Sequence, residues 1–502
     1  MIKKIMSFMM LLAAVSFTAC INDEDVTDDS ANNPIENENG NVSFEFVIPQ
    51  VGGEMRSAET TDVLEAGSKE EYALKNARIY LFNAESDNFY KAYDVNNGEI
   101  NEPVVSGTSV TYNKVSYRIN PGTYKVYVIA NAEYTLAPAT VDELLAEVDK
   151  MSYNTTNIDI IKKGIIMTNR GAQAPTVTIN PDKHTTVTIM LERVLAKIAL
   201  CKTQDKWELK DNKGEVYATI TPSNYNMVNL SKDFYLFRHV GQYDDADETP
   251  SAPQSWDKIA NFGVIADGNG YAMDPYFFEK TVAGAENFDG RFFNNPLKNS
   301  ANPDFSYPGT FNAPGKYAPI YCLGNTNFIT AQLQGYTTGI QIAANMTIPT
   351  NHCWNADGSN IDMDATQAPA ELYYFNYNFY RDLEAVKNVG HANVPSDSNI
   401  SDVDLWNKYQ IKHFKTHQGS YKCFYNYWVK HLDNGAPTKL GVMEYGIVRN
   451  NIYKVNVVDI LGLGDGEPNV DPVIPVEKQG YLDVDFGVMP WIVRDQNAGL
   501  GD

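Results

Sequence analysis

Few residues in this chain have the type and spacing to do chemistry, and those that do point to attachment and cutting. Cys20 follows Phe17-Thr18-Ala19, after a basic start at Lys3 and Lys4 and an apolar run from Ile5 to Phe17. Small residues directly before a cysteine at the end of such a run read as a lipobox, in which the thiol is acylated and becomes the first residue of a lipoprotein. Phe17 stands where Leu is usual. The apolar run is too short to cross a bilayer as a mature helix, so residues 1–19 read as a targeting segment. A plain secretory signal with an incidental cysteine is the alternative. Arg56 is the first arginine of the chain and lies in a polar, glycine-bearing stretch, Val51 to Gly67. A loop of that composition is a good protease substrate. Cleavage after Arg56 would make Ser57 the new N-terminus.

The remaining candidates are weaker. His413 and His417 would share a face on a helix, but the glutamate of a zinc-protease helix is missing, so solvated histidines are expected. Asn355, Asp357, Asn360, Asp362 and Asp364 offer oxygens at a calcium-like spacing without the closing Glu of an EF-hand, and read as a polar loop. Gly462-Leu463-Gly464-Asp465-Gly466 opens a proline-rich segment where a phosphate site would open a helix. Cys201, Cys322, Cys353 and Cys423 lie too far apart for a metal knuckle or a dense disulfide framework, although one pair among them is open. No G-x-S-x-G occurs. The expectation is a chain with no catalytic residues, no cofactor and no metal.

The elements that would present Arg56 and make use of a cut are the two ends. Val42, Phe44, Phe46 and Ile48 alternate just before the Arg56 loop, and Leu482, Val484, Phe486 and Val488 alternate at the C-terminal end. A period of two marks strands with one buried face. The connector Glu467 to Val476 is proline-rich, and since proline cannot complete a ladder it is expected to be extended and unpaired. A strand beyond such a spacer must add to a sheet in its own body or in another molecule.

At 502 residues two domains are expected. Aromatic content of 12% and 31 Tyr favour β structure. A net charge of -23 argues against nucleic acid, which needs clustered Lys and Arg. Ile21 to Gly40 is acidic with no basic residue and reads as a disordered tether. Strands are expected at Ala77 to Phe82, Val110 to Ile119, Gly122 to Ala130, Thr176 to Ile179 and Thr185 to Leu191. Val141 to Met151 has helical spacing, with Leu144, Leu145 and Val148 on one face. Arg193 to Leu200 fits either period. Tyr243 to Pro314 reads as long loops decorating a sandwich. Ser420 to Leu432 reads as an aromatic strand, with Gly446 to Ile460 as its hairpin partner.

The Cys20 lipobox, the alternating strand before Arg56, G-T-Y-K-V-Y-V-I-A-N from Gly122, E-R-V-L-A-K from Glu192, V-R-N-N-I-Y-K-V-N-V from Val448 and the ending M-P-W-I-V from Met489 together resemble the fimbrillins of type V pili. The likeness is closest to the major shaft subunit of short (minor) fimbriae. It implies an all-β fold of two transthyretin-like β-sandwich domains with minor helices and long loops. The implied divisions are residues 20–56 as tether and removable first strand, 57–204 and 205–479 as the sandwiches, and 480–502 as a donor strand. It implies that an Arg-specific protease cuts at Arg56, that the leader Val42, Phe44, Phe46, Ile48 departs, and that a strand carrying Leu482, Val484, Phe486, Val488 and Trp491 from another copy replaces it. The implied partners are further copies, accessory anchor and tip fimbrillins, that protease, and the outer membrane through acyl chains before cleavage; the implied location is a cell-surface fimbria. An anchor or tip subunit of the same pilus and a glycan-binding surface lipoprotein are the alternatives.

Overall fold

Four apolar residues at every second position put the first strand, Gly40–Pro49, inside a sheet. The computed structural model describes residues 39–49, 68–106, 109–133, 135–151, 162–170, 174–242, 270–281, 284, 291–293, 308–363, 368–396, 400–417, 419–431, 440–441, 443–468, 470–476 and 482–490. In a ten-stranded sheet the first strand lies between His184–Arg193, with which it runs parallel, and the antiparallel strands Val115–Ile119 and Ser109–Thr111. The sheet continues through Met167–Asn169, Gly122–Ala130, Ala77–Asn83 and Phe89–Val95. Gly40 starts the strand where no side chain fits: a Cβ there would come within 2.4 Å of Ile179 Cγ2 and 2.8 Å of Ile119 O.

The rest of the chain builds two further sheets around a second core. One has four strands in the order Ala318–Leu323, Leu195–Lys202, Asn451–Ile460, Leu482–Pro490. The other has nine, with Val216–Val228, Gly339–Thr347 and Ser420–Trp428 at its centre. Ile198, Leu200 and Val455 from the first meet Ile220, Ile342 and Tyr425 from the second in one cluster. The protein is therefore mainly β, with sheets packed face to face as the alternation predicted.

Leu195–Lys202 explains why Arg193 to Leu200 fitted either period. All eight of its residues are buried. Ala196, Ile198 and Leu200 face the second core, while Leu195 and Ala199 join Tyr80, Phe82, Tyr127 and Ile129 from the back of the first sheet. A strand covered on both faces loses its alternation.

Several expectations are corrected. Ser420–Trp428 and Asn451–Ile460 are not hairpin partners: they lie in the two opposing sheets, and Asn451–Ile460 pairs with Leu195–Lys202 and Leu482–Pro490. The helix at Val141 stops at Leu145, and Val148 is 41% exposed because Val148–Lys150 is captured as a strand by Asp233–Tyr235. The proline-rich connector is not unpaired. Its carbonyls remain acceptors: Gly335 N donates to Pro472 O, Gln334 N to Ile474 O, and Val476 N closes the contact onto Gln332 O. Within Tyr243 to Pro314, the described residues include the short strands Gly270–Met273, Phe292–Phe293 and Pro308–Thr310. The four described cysteines are buried free thiols.

Gly466 is another place that admits no side chain: its Cβ would lie 1.8 Å from His413 O, so the glycine-rich turn packs flush on the strand Lys412–His417. His413 sits on that strand, not on a helix, and is clamped rather than solvated. Its Nδ1 is 3.0 Å from Asp402 Oδ1 and its Nε2 2.6 Å from Glu371 Oε2, with the ring stacked on Tyr373 at 4.5 Å. Burial lowers the His413 pKa, but the hydrogen bonds and charges of Asp402 and Glu371 outweigh it and the net direction is up; the His413 hydrogen bond in turn holds Asp402 down. A raised folded pKa stabilises fully below the unfolded value of about 6.5 and is lost as pH climbs through the folded pKa. Both carboxylates are about half exposed, so the effect should be at most about 1 kcal/mol. The gap in thermal midpoint between the native chain and His413→Gln should therefore shrink as pH is raised from about 6 to about 9. A gap that widens over that range would contradict the clamp.

Candidate functional site

The first strand is held as a core element and not as an appendage. Val42 and Phe44 have no exposed surface, and Phe46 and Ile48 are 1% exposed. Its register pairs Asn41 to Val47 with His184 to Met190 on one side, and Gly40 to Phe44 with Ile119 to Val115 on the other. The outward face adds polar links: Ser43 Oγ lies 2.6 Å from Ser116 Oγ and 3.1 Å from His184 Nε2, and Thr188 Oγ1 donates to Glu45 Oε2. Both flanking ladders would be left open, and four deep pockets empty, if this strand departed.

The last strand, Leu482–Pro490, is an edge strand of the four-stranded sheet in this single chain. Its register sets Leu482, Val484, Phe486 and Val488 opposite Ile460, Val457, Val455 and Tyr453, all four of which are buried. A shift between Val457 and Asp459 marks a bulge near its start. Cys20, Arg56, Ser57 and Trp491 lie outside the described residues.

Between the two ends sits a buried polar junction. Arg193, at the end of the first strand's parallel neighbour, has no exposed surface. Its Nε donates to Glu71 O at 2.8 Å, and its backbone N and Nη1 both donate to Asn450 Oδ1 at 3.3 Å. Glu71 also takes the Lys197 ammonium at 3.0 Å and the Tyr321 hydroxyl. Burial pushes the Arg193 guanidinium down to about 10, with Glu71 opposing, so it stays charged at neutral pH. Beside it Glu192 accepts both prongs of Arg238, at 3.0 and 2.7 Å. Arg449 is likewise pushed down to about 10 by burial and donates to the carbonyls of Leu236 and Tyr235. Asn450 has φ of 59°, and its N–H reaches Leu195 O at 2.8 Å. The sequence segments E-R-V-L-A-K and V-R-N-N-I-Y thus meet in space. The hint was charge: Glu192, Arg193 and Lys197 interrupt an apolar strand, and a buried charge must find partners.

The calcium-like loop spends its oxygens on protein donors. Asp357 Oδ1 accepts from Ser359 N and Oγ, and Asn355 Oδ1 from Arg381 Nε. Asp364 lies outside the described residues. Among the described residues no group of three His, Cys, Asp or Glu could hold a metal ion.

Two family models match the chain. The model described as "Major fimbrial subunit protein (FimA)" matches residues 41–217, and "Major fimbrial subunit protein type IV, Fimbrillin, C-terminal" matches residues 418–497. Residues 41–49 of the first strand, Glu71, Glu192, Arg193, Lys197, Arg449 and Asn450 of the junction, and the last strand fall inside these segments, while Arg238 and Tyr321 lie between them. Among solved structures the chain is similar to a fimbrilin (fimA) from Porphyromonas gingivalis, at 15% identity and a TM-score of 0.42, covering 91% of this chain and 100% of that one. It is also similar to the tip fimbrial protein Mfa3 of Porphyromonas gingivalis with C-terminal truncation, at 11% identity and a TM-score of 0.34, covering 89% and 100%. No curated protein matches the sequence.

Asn450 gives the junction a direct test. Asn450→Ala removes the acceptor for Arg193, worth about 1.5–3 kcal/mol, and puts in left-handed backbone a residue without asparagine's local polar compensation, at up to about 1–2 kcal/mol. Asn450→Gly should cost only the first of these, because glycine adopts the conformation freely. Urea unfolding should rank the chains native, then Gly, then Ala; equal losses for Gly and Ala would show that the backbone conformation is unimportant.

Proposed function

We propose, from the premise that the chain belongs to the fimbrillin family of structural fimbrial subunits, that it is a shaft subunit, related to that of short fimbriae, which polymerises by protease-triggered strand exchange. Fimbrillins build cell-surface fimbriae and are not enzymes. The precursor is exported as a lipoprotein acylated at Cys20 and held at the outer membrane. An Arg-specific protease cuts after Arg56, the strand Gly40–Pro49 leaves with the lipid, and the mature subunit begins at Ser57. The last strand of another copy then fills the vacated lane, and the filament grows from further copies, with anchor and tip fimbrillins at its ends and a role in adhesion.

The observation that carries this reading is the position of the first strand. It lies between two ladders with its four apolar residues fully buried, yet the proposed cut site follows it by only a few residues. Those four side chains are worth roughly 1.5–3 kcal/mol each, so about 6–12 kcal/mol in all. A strand of matching period can recover that burial together with ladder hydrogen bonds on both edges. Leu482, Val484, Phe486 and Val488 carry the matching period. While the leader is covalently attached, its effective concentration keeps it in place. Cutting removes that advantage, so cleavage is the switch. Within one chain the last strand is parked on Asn451–Ile460, as an edge strand that can pair elsewhere.

Arg56→Ala should accumulate uncut, unpolymerised precursor, while the native filament should give Ser57 on N-terminal sequencing. A filament subunit that begins before Val42 would rule out loss of the leader.

Phe486→Asp should abolish filaments, because it gives up roughly 1.5–3 kcal/mol of apolar burial and adds an unpaired buried carboxylate. Asp485→Ala, the next residue, should do far less. Thermal unfolding of the uncut monomer separates the alternatives. Lost filaments from a monomer that still unfolds cooperatively mean donation to another copy, whereas a monomer that no longer folds means the strand serves its own subunit.

A further inference from the structure

Outside both family-matched segments, a lysine with no exposed surface stands in contact with a carboxylate and a carboxamide. Lys280 follows the 3-10 turn Phe277–Glu279, Asp274 follows the strand Gly270–Met273, and Asn325 opens the short strand Asn325–Thr326. Lys280 and Asn325 have no exposed surface and Asp274 is 8% exposed. Lys280 Nζ donates to Asp274 Oδ2 at 2.6 Å, to Asn325 Oδ1 at 2.9 Å and to Thr326 O at 2.7 Å. The Phe292 ring lies 5.9 Å from the same nitrogen. We infer that Lys280 and Asn325 are the partners of a self-formed intramolecular isopeptide bond, with Asp274 as the proton carrier.

Each part of the pocket has a function in that reaction. The amine and the carboxamide are held in hydrogen-bond contact, Nζ 2.9 Å from Oδ1, and neither has exposed surface. Burial lowers the Lys280 pKa against the pull of Asp274, which makes the neutral, nucleophilic amine accessible. Asp274 is reached by four donors. Tyr276 N reaches its Oδ1, while Thr326 N, Thr326 Oγ1 and Lys280 Nζ reach Oδ2. Asp274 Oδ2 is thus placed to take a proton from Lys280 Nζ directly. The Asn325 amide nitrogen is oriented by three acceptors, Tyr336 O at 2.7 Å, Thr338 Oγ1 at 2.9 Å and Asn229 O at 3.1 Å.

The step balances without an outside reagent. The Lys280 ammonium gives one proton to Asp274, and the free amine attacks Asn325 Cγ. The new C–N bond forms as the carbonyl pair moves onto Oδ1. Asp274 passes its proton to Nδ2, the Cγ–Nδ2 bond breaks, and ammonia leaves. The second proton lost from Nζ stays on Asp274, whose hydroxyl then donates to the new amide carbonyl. A buried ion pair is replaced by a neutral, hydrogen-bonded amide, which removes the cost of keeping two charges out of water.

Peptide mapping of the denatured full chain tests this. Trypsin should fail to cut between Lys280 and Thr281. Residues 259–291 should appear joined to 317–381, at the summed mass less one ammonia. Asp274→Asn keeps the size of the side chain and removes the base, and should give the two peptides apart. Separate peptides from the native chain, with normal cleavage after Lys280, would reduce the cluster to an ion pair and overturn the inference. Loss of one water within 259–291 alone would overturn it as well, since Asp274 would then be the acceptor. A joined product in Asp274→Asn would remove Asp274 from the reaction.

Discussion

A guanidinium with no exposed surface must receive all of its compensation from protein, and Arg193 sets that demand at the centre of this molecule. Meeting it draws together the helix Lys69–Tyr72, the strand His184–Arg193 and the turn before Asn451–Ile460. Glu71 then gathers Lys197 and Tyr321 from the neighbouring sheet. Leaving one of these charges alone in the interior would cost several kcal/mol, and Glu71 offsets part of that cost for Arg193 and Lys197 together. Val194 and Leu195, next to Arg193, and Tyr321 belong to one apolar cluster with Tyr80, Phe82, Tyr127 and Phe237. The two sheets on either side are therefore held in one relation by directional bonds, where apolar contact alone would allow sliding.

Period two made most strands legible, including the two ends, because alternation is written into neighbouring residues. Pairing is not local, and there the reading failed. Ser420–Trp428 and Asn451–Ile460 look like a hairpin in order along the chain, but they face each other across one core, with Tyr425 and Val455 in the same cluster. Val148 continued a helical spacing, and only the distant strand Asp233–Tyr235 showed why the helix ends. The connector misled because proline's missing N–H was counted and its carbonyl was not. At the candidate site, the burial of Val42, Phe44, Phe46 and Ile48 follows from their alternation, while that of Ser43 and Val47 on the other face does not. The contact between Arg193 and Asn450 spans 257 positions and had no local trace beyond charges in an apolar strand.

Asn450 shows how a short motif can be structural throughout. Arg449 ties down carbonyls of 235 and 236, Asn450 turns left-handed and accepts from Arg193, Asn451 closes back on Val448 and Arg449, and Tyr453 accepts Val448 N at 2.7 Å. Four side chains fix the direction in which Asn451–Ile460 sets out, and so fix where its two neighbours must lie.

One feature of the chain path bears on mechanics. His184–Arg193 passes into Leu195–Lys202 through a single bend at Val194, so one continuous stretch of chain borders the first strand before the bend and Asn451–Ile460 after it. Tension applied along either strand loads its ladders lengthwise. Ladders loaded in that direction are sheared, so their rungs share the pull and must give way together, whereas a strand lifted sideways peels one rung at a time.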